Sequence, residues 1–141
     1  MPAIFRYRHT VTDDEIDGLG HASNLEYLKW MQAAAIAHST AEGWSPQRYR
    51  VEDAGWVVRR HTIEYRQPLF AGQRIEVVTW VSNFRKVQSL RKYKIVRAAD
   101  DTVAAVAATD WAYIGIAPRV PRRIPPDLAA AFTIVSESEE P

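Results

Sequence analysis

The chain has 141 residues, of which 47% are hydrophobic and 25% are charged, and these proportions are typical of a globular protein with one domain. The absence of Cys excludes disulfide frameworks, thiolate zinc sites and thiol nucleophiles. The net charge of +1 gives no general attraction to nucleic acid, and no apolar run approaches the roughly 20 residues that a membrane span requires.

The first half of the sequence predicts a strand followed by a long helix. Apolar and polar residues alternate from residue 4 to residue 12, which indicates a half-buried β-strand. A polar segment with two glycines follows, and helical spacing of apolar residues begins at Ser23 or Asn24, either of which can cap the helix. Gly43 ends the helix. The wide apolar stripe of this helix and its many alanines predict a central helix that a sheet surrounds.

The second half predicts four antiparallel strands. Residues 44–53 indicate a loop with a short helical turn. Period-two patterns then indicate strands at 56–66, 74–84, 88–98 and 102–115. The links between these strands are too short for parallel crossovers, so neighbouring strands should be antiparallel. The expected class is α+β, with one helix against one sheet.

The ends of the chain set the expected domain limits. We expect a single domain over residues 1–135 and a disordered acidic tail over residues 136–141. A proline-rich segment leads into that tail, with a helical turn around residues 127–132. The first eight residues have no apolar signal-peptide core, so we expect a cytoplasmic location.

Three segments carry a resemblance to a known family. Residues 17–30, with the sequence DGLGHASNLEYLKW, resemble the signature of the 4-hydroxybenzoyl-CoA thioesterase family of hotdog proteins. Residues 63–72, IEYRQPLFAG, resemble the motif with which that family ends its second strand. Residues 112–125 are similar to the family's last strand and its exit through prolines.

The resemblance implies a fold, an activity and an assembly. The fold would be the hotdog fold, a five-stranded antiparallel sheet wrapped around one long central helix, and the protein would form homodimers that assemble into homotetramers. The substrate would be an acyl thioester on coenzyme A (CoA) or on an acyl carrier protein. The family uses no metal or redox cofactor, so CoA would enter only as part of the substrate.

Asp17 is the central catalytic candidate. The resemblance assigns it as the functional carboxylate, which acts as a nucleophile in some members and as a general base in others, and the sequence leaves that choice open. The alternative is a turn residue without catalytic function. His21 and Asn24 complete a Gly-His-x-x-Asn pattern that resembles the branch with acyl-carrier-protein thioesterases. They would orient water or the acyl carbonyl, or would serve only as a loop residue and a helix cap.

Backbone amides at the start of the helix are the predicted oxyanion donors. The helix N-terminus, near Ser23 and Asn24, presents unpaired N–H groups and the positive end of the helix dipole. Gly20 would let the backbone turn and approach the substrate, although a glycine in any loop permits a turn. Tyr27 belongs to the same motif and to an aromatic set that indicates either a pocket or ordinary core.

A group of basic residues follows the third predicted strand. Arg85, Lys86 and Arg91, with Ser89, are candidates to bind the phosphates of CoA. The same charges would also suit an acidic carrier protein, or they form a solvated strand face.

For three other titratable residues, the sequence favours structural roles over catalytic ones. Glu15 either forms a salt bridge or faces water. His61 shares a strand face with apolar residues, which favours a partly buried structural role. Asp110 lies in an apolar strand, which favours pairing with an arginine.

Two other functions are weighed against hydrolysis. A hotdog hydratase or dehydratase would place its histidine and acid differently from the pattern at residues 17–30. A binding module without catalysis could use the same fold to hold an acyl-CoA, since a fold does not determine a function. Asp17 favours an enzyme, and we expect neither nucleic acid nor membrane as a partner.

Overall fold

A computed structural model describes residues 3–141 as a sheet with one long helix. The strands are β1 (Phe5–Thr10), β2 (Ala54–Tyr65), β3 (Arg74–Phe84), β4 (Gln88–Arg97) and β5 (Thr102–Gly115). The helices are α1 (Asn24–Ala41), α2 (Pro46–Val51) and α3 (Pro126–Ala131), and short 3-10 turns cover Asp13–Glu15 and Glu137–Glu139. The element order and the bounds predicted from periodicity are confirmed to within a few residues.

The five strands form one antiparallel sheet in the order β1-β3-β4-β5-β2. Helix α1 packs against one face of this sheet, and the core lies between the two. Met31 and Ala34 of α1 are fully buried there, as are Val77 of β3 and Ile95 of β4. The small side chain of Ala34 lets the sheet approach the helix closely. The predicted α+β architecture, a five-stranded antiparallel sheet around a long helix, is confirmed.

The last residues of the chain lie on the opposite face of the sheet. Val135 packs with Val78 and Trp80, and the Glu140 carboxylate accepts hydrogen bonds from the Trp80 indole (3.3 Å) and from Lys92 Nζ (2.7 Å). This differs from the disorder expected for residues 136–141. Composition alone predicted that disorder, whereas the indole and the lysine that hold Glu140 lie about 50 to 60 residues earlier in the chain.

Among the described residues, every helix is too short or too polar to span a bilayer.

Candidate functional site

The loop before α1 is a tight turn that begins at Asp17. The Asp17 amide donates to the His21 carbonyl (2.9 Å), and the Gly20 amide donates to the Asp17 carbonyl (3.1 Å). Gly20 has a φ of +87°, in the left-handed region that L side chains rarely adopt. The turn requires a left-handed backbone conformation at position 20, and this accounts for the glycine there.

The Asp17 carboxylate is oriented by a hydrogen bond to one of its two oxygens. Its Oδ1 accepts a hydrogen bond from the Leu19 amide (2.8 Å). Its Oδ2 lies 3.9 Å from His21 Nδ1, and about a third of each of these two side chains is exposed (32% and 31%). An oriented and partly exposed carboxylate is suited to attack a carbonyl or to deprotonate water.

The His21 ring lies against the backbone at the start of the helix. Its Nδ1 lies 3.2 Å from the carbonyl oxygen of Ala22, which only accepts, so this contact is a hydrogen bond in the tautomer that carries the proton on Nδ1. The ring lines a shallow pocket of about 320 Å³ with Asn24, Tyr27 and Tyr65. The structure thus brings His21, Asn24 and Tyr27 together in this pocket, and Asp17 lies beside it, with its Oδ2 3.9 Å from His21 Nδ1. Within residues 3–141, no group of three or more His, Asp or Glu side chains could hold a metal ion.

The helix start has one free amide where the sequence predicted two donors. Ser23 is the N-cap, and its Oγ accepts from the Leu25 amide at 3.4 Å. The Ser23 amide itself donates to the Glu15 carbonyl (2.9 Å), so it is unavailable to a substrate. Asn24 is the first helical residue, and in the described part of the chain its amide has no acceptor. Of these two amides, the Ser23 amide is therefore already used, and the Asn24 amide is the one that remains open to an acceptor.

Two tyrosines close this end of the helix. Tyr27 is buried, and its ring forms an edge-to-face contact with the Tyr65 ring, with 4.9 Å between the two ring centroids. Burial, with a smaller contribution from Tyr65, raises the pKa of Tyr27 to about 12, so its hydroxyl stays protonated at neutral pH. The Tyr65 hydroxyl donates to the Asn24 carbonyl (3.2 Å). Tyr65 was not among the predicted site residues, although it lies in the second family motif, and the structure shows that the two motifs meet here.

Glu15 fixes the position of the loop. Its carboxylate accepts from His9 Nε2, Trp30 Nε1 and the Thr12 amide, each at 2.8 Å. Burial alone would raise the pKa of Glu15, but the hydrogen bonds from Thr12, His9 and Trp30 together outweigh it and lower the pKa to about 2. An ionised carboxylate thus ties β1 to α1, in agreement with a structural interpretation of this residue.

His61 and Asp110 also have the partners of structural residues. The His61 ring is hydrogen-bonded to the Thr109 hydroxyl (2.8 Å), and burial lowers its pKa. Asp110 Oδ2 lies 3.8 Å from Arg59 Nη1, which is the arginine pairing that the sequence favoured.

The predicted CoA-binding group is divided between two environments. Arg85 and Lys86 are exposed in the turn between β3 and β4. Ser89 and Arg91 are buried, and the Ser89 hydroxyl donates to the Asn83 carbonyl (2.8 Å). Alternate residues of a strand point to opposite faces, and these two side chains point toward the core. The prediction of one cationic group is corrected: of these four residues, Arg85 and Lys86 are the two that face solvent.

The chain is similar to known proteins over most of its length. A family model described as the thioesterase-like superfamily matches residues 11–132. No curated protein matches the chain. Three solved structures show the same fold.

The first of these structures is a 1,4-dihydroxy-2-naphthoyl-CoA thioesterase from Synechocystis, with 22% identity and a TM-score of 0.84 over 91% of this chain and 94% of that one. A DHNA-CoA thioesterase from Staphylococcus aureus has 21% identity and a TM-score of 0.85 over 91% and 87% of the two chains. A Staphylococcus aureus protein in complex with CoA has 16% identity and a TM-score of 0.85 over 91% and 80%. At these identities the likeness establishes the fold.

Proposed function

We propose that this chain, which belongs to the thioesterase-like superfamily, hydrolyses an acyl thioester carried on CoA or on an acyl carrier protein. The products would be the free carboxylic acid and the free thiol. The observation that carries the proposal is the presence, before and at the start of α1, of a partly exposed carboxylate, Asp17, and of an amide, Asn24 N–H, that has no acceptor among the described residues.

The proposed reaction needs one carboxylate and one oxyanion donor. As a general base, Asp17 removes a proton from water while the water oxygen attacks the thioester carbonyl. As a nucleophile, Asp17 attacks the carbonyl itself, and water then hydrolyses the resulting anhydride. In both routes the carbonyl oxygen becomes negative and accepts from the Asn24 amide, the carbon–sulfur bond breaks, and the thiolate gains a proton.

The neighbouring side chains have supporting roles in this proposal. The His21 ring, whose Nδ1 lies 3.9 Å from Asp17 Oδ2, orients the attacking water or the acyl carbonyl. The Tyr27 hydroxyl remains protonated and can donate to the substrate in the pocket that Tyr27 lines with His21 and Asn24. Arg85 and Lys86 are exposed and would contact the phosphates of CoA or the surface of an acidic carrier.

CoA is the carrier that we would test first. Two of the structural neighbours are thioesterases whose substrates are CoA esters, and a third was solved with CoA bound. These findings describe the neighbours, and they support CoA as the carrier here.

Thiol release from a panel of thioesters tests the proposed activity. Benzoyl-CoA, butyryl-CoA and palmitoyl-CoA represent aromatic, short and long acyl groups, and crotonyl-CoA reports hydration of a carbon double bond. We expect release of CoA thiol from at least one of the first three and no loss of the crotonyl double bond. Hydration of crotonyl-CoA without thiol release would identify a hydratase, and binding without any turnover would identify a binding module.

We also propose that the chain forms homodimers that assemble into homotetramers. β2 is a 12-residue edge strand that pairs only with β5 among the described residues, and a long free edge of this kind favours pairing with another chain. Large apolar side chains are exposed near it and near the site, with Tyr65 at 44% and Leu25 at 68%. Sedimentation velocity should therefore show dimers or tetramers at micromolar concentration, whereas a monomer would contradict the proposal.

A further inference from the structure

A second cavity, open to solvent on one side, lies toward the other end of α1. It has a volume of about 350 Å³ and lies between the C-terminal half of α1, helix α2 and the core face of the sheet. The nearest α1 residue in its wall, Gln32, is eight residues beyond Asn24, which corresponds to roughly 12 Å along a helix. The cavity is therefore separate from the site at the helix start.

The wall of this cavity is mostly aromatic. The rings that line it are Trp44, Tyr49, Trp56, Phe84, Trp111 and Phe132. Ligand pockets span roughly 300 to 1,000 Å³ and typically combine apolar walls with a few polar groups that orient the ligand. The volume and the lining suit a small molecule with an apolar body.

One buried cation, Arg91, lies in this wall. Its residue exposure is 6%, and its Nη1 donates to His38 Nδ1 (2.9 Å) and to the Thr79 hydroxyl (3.1 Å). A guanidinium has five N–H donors, and those on Nε and Nη2 have no acceptor among residues 3–141. Arg91 therefore brings unused donors to the cavity.

The positive charge of Arg91 is also not paired directly with a carboxylate. No carboxylate oxygen in the described part of the chain lies within 4.0 Å of its guanidinium nitrogens. The group between Arg91 and the nearby Glu42 is His38, whose Nε2 lies 3.8 Å from Glu42 Oε1. Burial, and then the charge of Arg91, lower the pKa of His38 to about 3, so this ring is neutral and contributes no countercharge.

A buried charge without a partner is costly, and an anionic ligand would offset that cost. Arginine presents its donors in a planar fork that matches the two oxygens of a carboxylate. We propose that this cavity binds an aryl or alkyl carboxylate, with the carboxylate on Arg91 and the apolar body among the aromatic rings. This site goes beyond the proposed hydrolysis and does not depend on it.

Two sources could supply such a carboxylate. One is a free carboxylic acid of suitable size. The other is a second carboxyl group at the far end of a substrate's acyl group. The shared chemistry is an anionic carboxylate joined to an apolar body, and the two sources differ only in whether the body is also attached to a thiol carrier.

Calorimetric titration with octanoate and with octanamide tests the proposal, because the two probes share an alkyl body and differ in charge. We expect wild-type protein to bind octanoate at least about tenfold more tightly, since one charge-assisted bidentate contact contributes roughly that much or more. Arg91→Met should remove this preference, whereas Arg74→Met, at an exposed arginine of β3, should keep it. Equal affinity for the two probes in wild-type protein would overturn the proposal, whether or not Arg91→Met folds. Retained preference in a folded Arg91→Met protein would overturn it as well.

Hydrolysis of suberoyl-CoA and octanoyl-CoA by the same variants separates the two sources. If the carboxylate belongs to the acyl group, Arg91→Met should lose turnover of suberoyl-CoA selectively. If the carboxylate belongs to a free acid, Arg91→Met should hydrolyse the two thioesters with the same rate ratio as the wild-type protein, while its affinity for octanoate falls. Both results support a carboxylate site, and the titration decides the site even if neither thioester is a substrate.

Discussion

Replacing Asp17 with asparagine is expected to reduce kcat/KM for thioester hydrolysis by roughly 100-fold to 10,000-fold. Asparagine cannot accept a proton from water at neutral pH, and it is a poor nucleophile. Its amide oxygen can still accept the hydrogen bond that the Leu19 amide gives to Asp17 Oδ1 at 2.8 Å. The turn should therefore survive, and circular dichroism and thermal unfolding should match those of the wild type.

Asp13→Asn is the matched control for this substitution. Asp13 is an exposed carboxylate four residues earlier, in the 3-10 turn, and it receives the same change in charge and shape. Its turnover should remain close to that of the wild type. A similar loss in both variants would indicate a general electrostatic effect and would remove the case for Asp17 as the catalytic carboxylate.

Replacing Asn24 with proline is expected to lower kcat by roughly 100-fold to 1,000-fold, as removal of one oxyanion donor does elsewhere. Proline lacks an amide proton, and Asn24 is the first residue of α1, where proline fits a helix without loss of an internal hydrogen bond. The preceding residue, Ser23, already has the extended conformation that a following proline requires (φ −61°, ψ 141°). Steady-state kinetics with the best substrate of the panel would measure the change.

Asn24→Ala separates the amide from the side chain at this position. Alanine keeps the backbone N–H and removes only the carboxamide, so it isolates any role of the Asn24 side chain in orienting water. We expect the proline variant to lose much more activity than the alanine variant. Equal losses would assign the function to the side chain, and no loss in a folded proline variant would remove this amide from the mechanism.

Much of the fold could be predicted because its signals are local. The alternation that indicates β3 and β4 and the helical spacing after Ser23 both depend on residues a few positions apart. The motif at residues 17–30 places Asp17, His21 and Asn24 on one short segment for the same reason, since a tight turn separates Asp17 from His21 and two residues separate His21 from the start of α1.

The features that the sequence did not predict depend on distant partners. The Ser23 amide is unavailable because it donates to the carbonyl of Glu15, and Glu15 is in turn held by His9 and Trp30 from two other elements. Arg91 looked like part of a solvated basic group, and only its register in β4 places it against His38 of α1. Which face of a strand meets the helix is a property of the assembled sheet.

The most direct test of the central claim is to quantify free CoA thiol and free carboxylic acid in the same reaction, with wild-type protein and Asp17→Asn side by side. The acyl-CoA from the panel that wild-type protein hydrolyses fastest is the substrate. We expect equal amounts of thiol and acid from the wild-type protein and almost none of either from a folded Asp17→Asn variant. Wild-type rates in that variant, or loss of acyl-CoA without release of thiol, would contradict the claim.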